Sequence, residues 1–244
     1  MIEELLPDPV VAVEAHGDDV PGDTALYPGE PELIVGAVAK RRREFAVVRG
    51  CARRAMEKLG VPAQAVPHGD RGAPRWPAGL VGSMTHCDGY AAAALARTGD
   101  LASLGIDAEP HLPLPEYVLE AVALPDEVRR LDRLTGEHPS VHWDRLLFSA
   151  KESVYKAWFP LTGKWLDFSE ADIDLSMEPG PTPSGRLSAR LLVPGPVVDG
   201  RRVGRFEGRW TVGRGLVATS VAVPRGPGRT APGATGAAGP GLPG

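Results

Sequence analysis

The chain has 244 residues, of which 43% are hydrophobic, 24% charged and 6% aromatic. That is enough apolar material for one large globular unit, or two small domains sharing a core, and it excludes wholesale disorder. The 27 basic and 31 acidic residues leave a formal charge of −4, which argues against nucleic acid as a partner, and the two cysteines, Cys51 and Cys87, have no metal-like spacing and read as free thiols.

The net charge conceals an asymmetry that begins at the N-terminus, where residues 1–39 carry nine acids and no Lys or Arg. The opening Met-Ile-Glu-Glu-Leu-Leu-Pro lacks the basic start and apolar run of a signal peptide, and the longest apolar run, Tyr90 to Ala96, is far too short to span a bilayer. The expectation is a cytoplasmic protein with no membrane partner. Residues 40–75 then carry ten bases against three acids, a local block that points to a confined anionic ligand. A predicted helix around 33–59 places Phe45, Val48, Ala52, Met56 and Leu59 on one stripe, with Arg42, Arg49 and Arg53 along its edge. Three guanidiniums side by side repel unless an anion or an acid joins them; a bound phosphate and a solvated basic face both satisfy the pattern.

A turn-rich segment, Val61 to Pro77, leads to two short apolar runs, Gly79 to Thr85 and Tyr90 to Ala96, which read as a hairpin around Cys87-Asp88-Gly89. Within it, Gly82-Ser83-Met84-Thr85-His86-Cys87 offers His86 either as a phosphate donor or as a structural histidine. Gly105-Ile106-Asp107-Ala108-Glu109 reads as a strand with Asp107 and Glu109 on one face, about 7 Å apart, and Ile106 and Ala108 on the other. Two carboxylates so placed suit a hard divalent cation such as Mg²⁺, and equally suit exposed acids at a strand end.

The next predicted helix, around 142–159, has Leu147, Val154 and Trp158 on its apolar stripe and Glu152 and Lys156 at i and i+4 on its polar face. Lys151 falls at the edge of the apolar arc, where a lysine must snorkel or meet an anion. Pro/Gly-rich loops and a second hairpin, Arg205 to Val212 with Leu216 to Val223, follow. The repeated helix-then-hairpin plan predicts an α+β protein of two related halves, 1–105 and 106–224, joined near Thr98 to Pro115. The last 20 residues hold 11 Gly and Pro, so 225–244 reads as a disordered tail. No dinucleotide-binding glycine fingerprint, nucleophile elbow or zinc-binding helix is present, and Gly163-Lys164-Trp165 fails as a phosphate loop.

Five strings taken together resemble the 4′-phosphopantetheinyl transferases of the surfactin type, in the branch that includes the enterobactin-synthetase enzyme. They are Lys40-Arg41-Arg42-Arg43-Glu44-Phe45 running on to Arg49-Gly50-Cys51-Ala52, then Gly72-Ala73-Pro74-Arg75-Trp76-Pro77, Gly82 to Cys87, Gly105 to Glu109, and Phe148 to Lys156. The resemblance implies a pseudo-twofold fold of two α/β halves with coenzyme A in the cleft between them. It implies transfer of the 4′-phosphopantetheine arm to a serine of an apo acyl or peptidyl carrier protein, with release of adenosine 3′,5′-bisphosphate, by a monomer. Residue by residue it implies Asp107, Glu109 and Glu152 as Mg²⁺ ligands, Glu152 also as general base, Lys156 and His86 as phosphate contacts, and Arg49 or Arg53 on the 3′-phosphate. Arg42, Thr85 and Lys151 complete the expected coenzyme A contacts. Relatives often carry Gly-Lys-Pro where this chain has Gly72-Ala73-Pro74, leaving Arg71 or Arg75 to substitute. A non-catalytic coenzyme A-binding protein and a Mg²⁺-dependent phosphohydrolase are the alternatives that the same residues allow.

Overall fold

A computed structural model describes residues 1–17, 19–20 and 23–226. The tail expected to be disordered lies outside the described residues, apart from Arg225 and Gly226. Strand β1 (Val11–His16), helix α1 (Ala39–Lys58) and the hairpin of β2 (Leu80–Cys87) and β3 (Tyr90–Arg97) form the first half, with sheet order β1-β3-β2. The sequence of β3, Tyr-Ala-Ala-Ala-Ala-Leu-Ala, is buried throughout. Its period of two sends Ala91, Ala93 and Leu95 to the core beneath α1, and Tyr90, Ala92, Ala94 and Ala96 to a core shared with the second half. The continuous apolar run therefore reflects a strand covered on both faces. Helix α1 seals the first core with Val48, Ala52, Ala55 and Met56; it begins at Ala39, after a short 3₁₀ turn at Pro31–Ile34, and not at 33.

The second half repeats this order and adds to it. Strand β4 (Leu101–Pro110) leads through α2 (Val118–Val122) and α3 (Pro125–Glu137) to α4 (Trp143–Thr162). Then come β5 (Ala171–Glu178), β6 (Ser184–Leu191), β7 (Val197–Val198), β8 (Arg201–Arg202), β9 (Arg205–Gly213) and β10 (Leu216–Pro224). The larger sheet has the order β4-β10-β9-β6-β5. β1 pairs with the last strand of the first hairpin and β4 with the last strand of the second, both antiparallel, so strand, helix and hairpin recur with β5 and β6 as an extension. The second core is built from α4, β5, β6 and β9, around Trp143, Leu147, Trp158 and Trp210. Among the described residues no helix is long and apolar enough to cross a membrane.

The join expected near 98–115 is not a linker. Residues 101–110 are β4, and the expected boundary after residue 105 falls in the middle of that strand. Gly105, which resembles a chain breaker, serves close packing: a Cβ there would stand 1.9 Å from the Ser153 carbonyl oxygen of α4. The prolines that follow lie at the end of the strand and beyond it. Strand β2 meets β4 through side-chain hydroxyls. The Ile106 N–H donates to Ser83 Oγ at 3.0 Å and the Ala108 N–H to Thr85 Oγ1 at 3.1 Å, which ties the two halves along the seam.

Helix α4 lies across β4 and β10 on small polar residues. Ser103 Oγ donates to the Ala157 carbonyl at 2.7 Å, and the Ser153 and Thr219 hydroxyls stand 2.7 Å apart. Close approach of this helix to the strand brings Glu152 and Lys156 over the face of β4 that carries Asp107.

Candidate active site

A cavity of about 440 Å³ opens between the halves. Its walls come from α1 (Arg41, Phe45, Arg49), the 68–76 loop (His68, Arg71), β2 (His86) and α4 (Glu152, Tyr155, Lys156).

One wall is cationic. Arg41, Phe45 and Arg49 follow one another at intervals of four and so stack along α1. The Arg49 guanidinium lies 3.2 Å from the Phe45 ring centroid and is 2% exposed. Its Nε donates to the Val66 carbonyl at 3.2 Å, while Nη2 is buried without a protein partner. Burial pulls the Arg49 pKa down to about 10, against the opposing charge of Glu30, so the group is a cation at neutral pH. Arg41 Nη1 contacts His86 Nε2. Burial first, and the Arg41 charge second, push the His86 pKa below its usual value, which keeps the ring neutral at pH 7.

Of the three acids expected at the site, Glu152 lines the cavity, whereas Asp107 and Glu109 lie outside its lining. Lys156 Nζ donates to Asp107 Oδ1 at 2.7 Å and to the Ile106 carbonyl at 3.1 Å. Thr85 Oγ1 donates to the same Asp107 oxygen at 3.2 Å, and Asp107 Oδ2 is buried with no hydrogen-bond partner among the described residues. Glu152 faces the cavity without a hydrogen bond among the described residues; burial raises its pKa, the Lys156 charge opposes the rise and the Asp107 charge adds to it. Glu109, two positions along β4, accepts from Arg145 Nη1 at 3.1 Å. Its pKa is also raised, by burial and then by Asp107. An unpartnered carboxylate oxygen and two neighbours under the influence of the same charge form a site that is short of positive charge, while the other wall is short of negative charge. A polyphosphate with a counter-cation complements both.

Residues 29–96 match the family description "4'-phosphopantetheinyl transferase N-terminal domain", and residues 103–193 match "4'-phosphopantetheinyl transferase superfamily". The chain is 56% identical over 225 residues to 4'-phosphopantetheinyl transferase Svp of Streptomyces mobaraensis, covering 91% of this chain and 89% of that protein. It is 48% identical to Npt of Nocardia iowensis, covering 91% and 99% of the two chains. It is 46% identical to PptT of Mycobacterium tuberculosis, covering 91% and 97%. The chain belongs to the 4′-phosphopantetheinyl transferase family. The expected likeness to the enterobactin enzymes is only partial: enterobactin synthase component D of Salmonella typhi is 36% identical over 128 residues, 52% of either chain, whereas the similarity to Svp, Npt and PptT covers 91% of this chain.

Of the site residues expected for a transferase of this family, the structure brings Arg49, Arg71, His86, Glu152 and Lys156 to the cavity, with Asp107 one hydrogen bond behind Lys156. Arg71 lines the cavity and Arg75 does not, so Arg71 is the nearby cation at the loop that lacks the family lysine. Thr85 is buried beneath the wall, where its hydroxyl gives to Asp107 and accepts from Ala108; it orients the acid and has no donor left for a ligand. Three expected coenzyme A contacts lie elsewhere. Arg42 donates to the Ala37 carbonyl on the surface. Arg53 is clasped by Glu30 at 3.1 and 3.2 Å and by the carbonyls of Asp23 and Ala25. Lys151 is 3% exposed, where it meets Glu127 at 2.8 Å and the carbonyls of Phe168 and Ala171, so the anion its position requires is a buried carboxylate.

Sequence reasoning missed Arg41, His68, Tyr155 and Arg145. The spacing Arg41-Phe45-Arg49 was the available signal for the first. Arg145 and Tyr155, seven residues before and three after Glu152, lie on the same face of α4, a spacing that was equally available, whereas His68 comes from a loop and carries no local pattern.

Proposed function

We propose that this chain transfers the 4′-phosphopantetheine arm of coenzyme A to a serine of an apo acyl or peptidyl carrier protein, as a transferase of the surfactin type. The single observation that carries the reading is the cavity between the halves, with Arg41, Arg49, Arg71 and His86 on one side and the Asp107-Lys156-Glu152 group on the other. Two strand-helix-hairpin halves within one chain support the surfactin type, and a monomer follows if both walls come from a single copy.

The residues present fit a magnesium ion. Asp107 offers a buried oxygen without a partner, and Glu109 and Glu152 have carboxyls whose raised pKa values, due to burial and to Asp107, favour a nearby cation. Among the described residues no three metal-ligating side chains gather about one point, which accords with an ion that takes one or two carboxylates and fills its shell with water and substrate phosphate oxygens. Asp107 would hold it together with Glu152, while Glu109, expected as a third ligand, is engaged by Arg145 and does not gather with the other two. When bound, the ion supplies positive charge to the diphosphate and its departing oxygen.

The remaining work falls to side chains. Arg49 and Arg71 hold the phosphate on the ribose, and His86 and Lys156 hold the diphosphate. The serine oxygen bonds to the phosphorus next to the pantetheine arm as the bond to adenosine 3′,5′-bisphosphate breaks, and Glu152 receives the serine proton directly or through one water. Burial makes Glu152 a stronger base than a solvated glutamate, which suits that task.

The test is incubation with coenzyme A, Mg²⁺ and several apo carrier proteins, read by intact mass. A phosphopantetheine adduct on the carrier, lost in Glu152→Gln while calorimetric coenzyme A binding is kept, supports the reading. Coenzyme A cleavage without any carrier adduct, or equal loss of binding and turnover in the variant, refutes it.

A further inference from the structure

Glu30 belongs to the acidic N-terminal stretch, yet it is fully buried. Its Oε1 accepts the Val66 N–H at 2.9 Å and its Oε2 the Tyr27 N–H at 2.8 Å, and both oxygens accept from Arg53 Nη1. The same carboxylate stands 3.8 Å from Arg49 Nε. Val66 is thus held at both of its backbone groups, its N–H by Glu30 and its carbonyl by Arg49 Nε. That arrangement occupies the inner edge of the Arg49 guanidinium and leaves Nη2 unpartnered on an arginine that lines the cavity. Three buried charges, Glu30, Arg49 and Arg53, sum to one positive charge; Arg53 gives both terminal nitrogens to protein acceptors, keeps a buried Nε without a partner among the described residues, and does not line the cavity, whereas Arg49 does.

Resting on the reading of Arg49 as the ligand of the ribose phosphate, we infer that Glu30 is a positioning residue that sets the substrate's phosphate recognition. It anchors Arg49 through the Val66 backbone and presents its free edge to a phosphomonoester. Without the Glu30 charge, Arg49 and Arg53 repel across the core and the Val66 carbonyl loses its fixed place, so the guanidinium no longer meets the phosphate in a single orientation.

The experiment measures kcat and KM for coenzyme A and for 3′-dephospho-coenzyme A with wild type, Glu30→Gln and Arg49→Gln, after thermal melting confirms folded protein. Glu30→Gln is expected to raise KM for coenzyme A about tenfold, the equivalent of one charge-assisted hydrogen bond, with KM for the dephospho form and kcat at saturation unchanged. An equal rise for both substrates, or loss of kcat, shows a merely structural role and overturns the inference. If Arg49→Gln leaves the preference for coenzyme A intact, the underlying reading of Arg49 fails. If Arg49→Gln abolishes the preference and Glu30→Gln does not, the inference alone fails. Should Glu30→Gln not fold, Val66→Pro removes the N–H given to Glu30 and leaves every charge in place. A reduced preference then supports the inference, and an unchanged one overturns it.

Discussion

Gly105→Ala probes the contact on which the site depends. The new methyl would sit 1.9 Å from the Ser153 carbonyl oxygen and 2.9 Å from the Ala157 nitrogen. Restoring an ordinary contact of 3.4 Å requires β4 and α4 to separate by about 1.5 Å. Both contacts are backbone atoms of a helix, so no side chain can rotate away. Separation stretches the Ser103–Ala157 and Ser153–Thr219 hydrogen bonds, each worth about 1 kcal/mol, on top of an overpacking cost of about 1–3 kcal/mol. The total, about 3–5 kcal/mol, lowers Tm by roughly 2–4 °C per kcal/mol in a chain of this size. Catalysis suffers separately, because the displaced turn carries Glu152 and Lys156 away from Asp107, and a misplacement of about 1 Å costs about 100-fold in rate. The assays are denaturant unfolding followed by tryptophan fluorescence and steady-state transfer to a carrier protein by the folded fraction. Gly208→Ala is the control: its Cβ would stand 2.0 Å from the Ser220 carbonyl oxygen, where β9 meets β10. It should lose stability and keep kcat. Wild-type stability and kcat in Gly105→Ala would refute the view that helix-to-strand spacing sets the site.

Lys151→Met should destabilise the fold by about 3–5 kcal/mol, because Glu127 is left buried without its cation. KM for coenzyme A in the folded variant should not change; a large rise would restore Lys151 to the ligand site. Arg41→Ala should raise KM for coenzyme A about tenfold or more, whereas Arg42→Ala should leave it unaltered, and steady-state kinetics with matching effects for the two would contradict the cavity geometry. For Asp172, burial alone would raise the carboxyl pKa, but hydrogen bonds from Arg190, at 2.8 Å, and Arg130 overcome it and hold the pKa below the ordinary value of 3.8. A depressed folded-state pKa means stability that is present above the unfolded value and lost as pH falls through the folded one. Asp172→Asn should therefore be less stable than wild type at neutral pH, with the gap closing below about pH 4; a gap constant from pH 7 to 3 in thermal melts would refute the assignment.

Much of the fold was legible in the sequence, since hydrophobic periodicity is set by local geometry. The alternation of Ile106 and Ala108 against Asp107 and Glu109 is what β4 displays, and both hairpins turn at the glycines that mark them, Gly89 and Gly215. The passage between the halves, residues 98–100, lies in the stretch that glycine and proline mark, but the boundary at 105 falls inside β4 because glycine signals both chain breaks and close packing, and only a neighbouring helix separates the two. The site followed the same division. Asp107, Glu152 and Lys156 are legible because their motifs lie on one strand and one helix face, whereas the fate of each arginine on α1 is not a local property.

The sequence by itself determined the α+β class, the helix-and-hairpin repeat and the family, through short strings whose spacing is fixed by strand and helix periods. Only the tertiary structure decided which cations are free. Arg49 and Arg53 share one edge of α1 and one acid, Glu30, and each keeps one buried nitrogen without a partner among the described residues, but Arg53 is turned to that acid and two carbonyls away from the cavity, while Arg49 lines it. Glu30 and Lys151 likewise have their partners 23 and 24 residues away in sequence. Charge pairing in a core depends on which segments fold over which, and a helical wheel holds no record of that.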